Sequence, residues 1–109
     1  MTMANPFAGE VALVIDGQRH VLKLTLGALA ELEGDLGSGS LVDLVERFEG
    51  GAFSTRDVLA LIVAGLRGGG WQGDASTLLA AEIAGGPIHA AKVSAQLLAR
   101  AFATPEGAV

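Results

Sequence analysis

The segment Glu10–Leu26, EVALVIDGQRHVLKLTL, decides the fold. Two runs rich in β-branched and aliphatic residues flank Asp16-Gly17, a pair suited to a type I′ turn because both positions tolerate positive φ. A two-residue turn sets Ile15 opposite Gln18, Leu13 opposite His20 and Val11 opposite Leu22. One face then carries Val11, Leu13, Ile15, His20, Leu22 and Leu24. The other carries Glu10, Ala12, Val14, Arg19, Val21 and Lys23, with Glu10 across from Lys23 as a charge pair. A lone hairpin is marginal in water, so its apolar face requires helices to pack on.

Those helices follow in the sequence. Thr25 caps LGALAELE, which ends at Gly34, and GDLGSG is a loop. Ser40 and Asp43 form a capping-box pair ahead of a stripe through Leu41, Leu44, Val45 and Phe48, stopped by Gly50-Gly51. Ser54 and Asp57 repeat that start signal for STRDVLALIVAGLR, which Gly68–Gly70 terminates. Asp74 opens DASTLLAAEIA, which stops at Gly85-Gly86. Pro87 suits the first turn of a final helix running to about Ala103. The expected architecture is α+β, an N-terminal β-hairpin packed on four or five short helices. Residues 1–8 read as a flexible N-terminus, 9–103 as a single domain and 104–109 as a flexible tail.

Composition narrows the function. The chain has 109 residues, enough for one core that buries roughly 65% of the unfolded surface. Half of them are hydrophobic, yet there are only four Phe, one Trp and no Tyr, so Ala, Leu, Val and Ile build the interior. The absence of cysteine excludes disulfides and thiolate metal sites. The start MTMANPFAGE has neither the basic nor the apolar region of a secretory signal. The longest apolar run, Val58–Leu66, is about half of a membrane span. A cytoplasmic protein without a membrane partner is expected. A net charge of −5 repels phosphate backbones and argues against nucleic acid.

Candidate chemistry is sparse. Gly68, Gly70 and Gly73 in GGGWQG match the dinucleotide-binding spacing, but that motif works only where a strand enters and a helix leaves. Here a helix enters, and Arg67 sits in its last turn where the dipole favours a cation, so the glycines read as a helix stop. His20 and His89 belong to no metal-spaced cluster. Ser38 and Ser40 lack the strand-turn-helix setting of a nucleophile elbow, and Glu31, Glu33 and Asp35 read as solvated acids at a helix end. No catalytic residue, cofactor or metal is expected, and the chain reads as a non-enzyme.

Two helices carry more information. Val58, Leu59, Leu61, Ile62, Val63 and Leu66 leave only a narrow polar strip, as in a helix that is central or covered by a partner. In the last helix Ile88, Ala91, Ala95, Leu98 and Phe102 repeat at heptad-like spacing, widened by Val93, Leu97 and Ala101. So small a core has difficulty covering both helices, which leaves apolar surface for another chain; a compact helical core is the competing reading. Trp71 is either a lid packed on neighbouring helices or an interface anchor. The candidate partner-binding residues are Val58, Leu59, Ile62, Leu66, Trp71, Leu97, Leu98 and Phe102.

Four blocks, in order, carry a family resemblance: NPFAGEVALVIDGQRHVLKLTLGALAELE, SLVDLVERF, DVLALIVAGLRGGG and VSAQLLARAF, covering about Asn5 to Phe102. Together they resemble the small tail-assembly-chaperone family of gene transfer agents and related tailed phages. LTLGALAELE and GLRGGG are the most specific elements. The resemblance implies a non-enzymatic chaperone that coats the tail tape-measure protein before tail-tube subunits polymerise around it. Tail-tube subunits are the other partners in view, and self-association goes with the structural rival. The rival reading is a structural tail-tube or tail-completion subunit that stays in the particle tail. The resemblance transfers no binding residue.

Overall fold

The computed structural model describes residues 9–35 and 40–102. The expected flexible ends and Ser38 fall outside the described residues. An antiparallel hairpin of β1 (Glu10–Ile15) and β2 (Gln18–Lys23) is followed by five helices, an α+β architecture. They are α1 (Leu26–Asp35), α2 (Leu41–Gly50), α3 (Thr55–Gly68), α4 (Ala75–Leu78) and α5 (Gly86–Phe102).

The hairpin register is the one the turn dictates, from Ile15↔Gln18 through Leu13↔His20 to Glu10↔Lys23. Asp16 and Gly17 take φ of 50° and 79°, as a type I′ turn requires. Parity then directs Val11, Leu13, Ile15 and Leu22 into the core, while His20 remains half-buried. That core continues through Ala28 and Leu32 of α1, Leu44 of α2, Leu61, Ile62 and Leu66 of α3, and Val93, Leu97 and Leu98 of α5. At roughly 25 cal/mol per Å², apolar burial of this kind is the main stabilising term, with aliphatic side chains doing nearly all of it.

Helix starts behave as their sequences require. The Ala28 N–H donates to Thr25 Oγ1 at 3.1 Å. Ser40 with Asp43, and Ser54 with Asp57, form complete capping boxes. Gly51, at φ 73°, ends α2 in the left-handed conformation, where its lack of a Cβ removes the steric penalty.

One helix differs from expectation. The segment opened by Asp74 was expected to stay helical up to Gly85, yet α4 is a single turn that stops at Leu78. Its continuation is recruited by the hairpin. Asp16 N–H donates to Glu82 O at 2.8 Å, and Ala84 N–H donates to Val14 O at 3.0 Å. The Asp16 carboxylate accepts the Glu82 N–H at 2.8 Å, and Ile15 bridges Ile83. A helix of two or three turns has little stability of its own, whereas the outer edge of β1 holds unpaired backbone groups that need partners. The edge wins. Farther along the same edge, Arg100 Nη1 donates to the Glu10 carbonyl.

Candidate functional site

The glycine segment after α3 is a packing device. A methyl group on Gly68 would lie 1.9 Å from the Lys23 carbonyl oxygen, and one on Gly69 2.0 Å from that of Val21. Glycine thus lets the end of α3 lie directly against the outer backbone of β2. A Cβ on Gly65, one turn earlier, would fall 2.8 Å from Leu97 Cδ1 and 3.1 Å from Leu22 Cβ. The N–H groups of Gly69, Gly70 and Trp71 donate back to α3 carbonyls at 2.9–3.0 Å. They are not free to cradle a phosphate. Sequence spacing gave the helix stop; the close approach depends on contacts some 45 residues away and has no local signature.

Arg67 fastens this end. Its Nε lies 3.0 Å from Glu31 of α1 and its Nη1 donates to Gly73 O at 3.1 Å. Trp71 is half-buried and packs on the core, with Arg19, His20, Val21 and Leu66 around it.

The opposite end of α3 is pinned but open. Arg47 of α2 forks onto Asp57, Nε to Oδ2 and Nη2 to Oδ1, both at 2.9 Å. Asp57 also accepts the Ser54 backbone N–H at 2.9 Å. The Arg47 hydrogen bond, helped by that N–H, holds the Asp57 carboxyl below its ordinary pKa despite burial. The bidentate fork fixes the angle between α2 and α3.

Beside this strut an apolar groove of about 780 Å³ runs between α3 and α5. Val58, Leu59 and Ile62 of α3 form one wall, and Ala91 and Ala95 of α5 form the other. Phe48 and Phe53, stacked at 4.5 Å with 7° between their planes, border it. Leu79 and Ile88 also line it yet remain 74% and 75% exposed. Lys92 is the one charged residue in the lining. Lys92 belongs to neither of the ion pairs Arg47–Asp57 and Arg67–Glu31.

The eight sequence candidates separate into distinct places. Val58, Leu59 and Ile62 come together in the groove. Leu66 and Trp71 meet at the hairpin end of α3. Leu97 and Leu98 belong to the core, and Phe102 stands half-exposed at the end of α5. Leu79 and Phe53 also line the groove and are absent from the sequence candidates. No local signal marks Leu79, because its exposure follows from α4 stopping after a single turn.

No described group of three or more His, Asp or Glu side chains is placed to hold a metal ion. No described helix is long and apolar enough to cross a membrane. What the geometry offers is the apolar groove between α3 and α5. No curated protein and no solved structure matches this one. Residues 8–104, nearly the whole chain and the entire hairpin-plus-helices unit, match the family described as phage tail tube protein, GTA-gp10. That family is defined by a structural part of a tail rather than by a reaction, and this chain belongs to it.

Proposed function

We propose that this chain serves as a structural subunit of a phage-like tail of the gene-transfer-agent type, built into the tail tube or its completion. The observation that carries the reading is the family match over residues 8–104. The apolar groove fits it, because a subunit that persists in an assembly keeps apolar surface for its neighbours. The test is quantitative mass spectrometry of purified particles. A structural subunit is present at a fixed ratio to other tail proteins, as closed symmetry demands. Its absence from mature particles overturns the reading.

A second reading is favoured by the groove itself. In the tail-assembly-chaperone role the chain holds the tape-measure protein before the tube forms, and an apolar groove between two helices suits a helical client. Under this reading the chain is missing from finished particles, and it solubilises the tape-measure protein on co-expression.

A further inference from the structure

We infer that the groove between α3 and α5 receives one amphipathic helix from a different chain, one that sets a carboxylate against Lys92. The groove belongs to the fold whichever tail role the chain plays. Its dimensions suit a helix. Ile88 to Ala95 spans about 10 Å along α5, the length of one i, i+3, i+4, i+7 stripe. Ala91 and Ala95 keep that wall low, so another helix can approach to the ordinary spacing of about 8–10 Å. Across from them Val58, Leu59 and Ile62 supply the surface into which apolar side chains insert.

The other occupants fit less well. A small-molecule site gathers several convergent polar groups, and this lining carries a single charged residue, Lys92. A second copy docking through the same face would bring a second cationic Lys92 and no acidic lining residue to pair with either. An acidic helix gives Lys92 the partner it lacks among the described residues. The charge pair sets register and specificity, and the apolar stripe supplies the affinity.

The test titrates the full chain against two fluorescein-labelled, designed 18-residue helical peptides, read by anisotropy. Both carry one leucine stripe; one is flanked by glutamates and the other by lysines. The chain as a whole is acidic, at −5, so its overall field disfavours the glutamate peptide. Preference for that peptide must therefore come from the groove. The expected result is binding of the glutamate peptide at least about tenfold tighter than the lysine peptide. Lys92→Glu reverses the order. Ile88→Asp, at an exposed position, abolishes binding of both while the circular dichroism spectrum is unchanged. Failure of the glutamate peptide to bind overturns the proposal, as does a preference that Lys92→Glu leaves unaltered. Sedimentation that shows a dimer dissolved by Ile88→Asp also overturns it, and gives the groove to a second copy.

Discussion

The two ends of α3 are made of similar aliphatic sequence and meet opposite surroundings. At its C-terminal end, Gly65, Gly68 and Gly69 bring helix backbone against β2, with Leu22 and Leu97 closing the contact. At its N-terminal end, Val58, Leu59 and Ile62 face a groove. The difference follows from reach. The hairpin strands are six residues each and cover about 20 Å, whereas α5 alone runs about 26 Å and the helical layer extends past the sheet. Where the sheet is present, small residues allow backbones to touch. Where it ends, Val58 and Leu59 stay partly buried and line the groove, while Ile62 closes its floor from the core. Apolar periodicity alone therefore does not separate core from contact surface; the size of the residues opposite does.

Gly68→Ala and Gly69→Ala attack the closed end and carry the largest expected effect. Each forces a methyl group into a backbone carbonyl that cannot rotate away, and the expected loss is about 3 kcal/mol or more in urea unfolding. A loss under about 1 kcal/mol would mean that α3 is not seated on β2 as described.

Next comes the strut that holds the open end. Asp57→Ala removes the Arg47 fork and the Asp57 half of the α3 capping box together. Because Arg47 is one-third exposed, the expected cost is about 2–3 kcal/mol, below that of a fully buried pair. The same residue predicts a pH dependence. Its carboxyl is held below the ordinary value in the folded chain, so the stability it contributes is present above the unfolded pKa of about 4. That contribution fades as pH falls from there through the folded value. The gap between wild type and Asp57→Ala in thermal melts should hold steady from pH 7 to 5 and narrow below about pH 4. A gap that widens in acid contradicts the assignment.

The smallest effect has the opposite sign. Gly34 lies inside α1 with nothing within 4 Å of an added Cβ, so Gly34→Ala should stabilise by about 0.5–1 kcal/mol through helix propensity. Destabilisation there would show that glycines of the two classes are not distinguished by the space around them.

These contrasts also mark how much was legible beforehand. The hairpin and its register followed from Asp16-Gly17, because a two-residue turn leaves no freedom in parity. Both capping boxes were legible for a similar reason: cap and partner lie three residues apart. The extent of α4 was not, since Asp16 recruits Glu82 across 66 residues and local sequence holds no record of it. Likewise, the Gly68 and Gly69 contacts were visible only as a helix stop. Of the candidate contact residues, Val58, Leu59 and Ile62 share an almost wholly apolar helix and line the groove, with Ile62 also buried in the core. Leu97 and Leu98 carried the same periodic signal and lie in the core of this chain. Periodicity identified apolar faces without saying what covers them.

The central claim is that the closed end makes the fold while the open groove serves the tail. Ile88→Asp tests it most directly, with the melting temperature of the purified chain and the yield of tailed particles measured side by side. The account predicts a melting temperature within about 2 °C of wild type, as for an exposed site, together with loss of tailed particles. Normal particle yield, or a melting temperature lowered by about 10 °C or more, would contradict it.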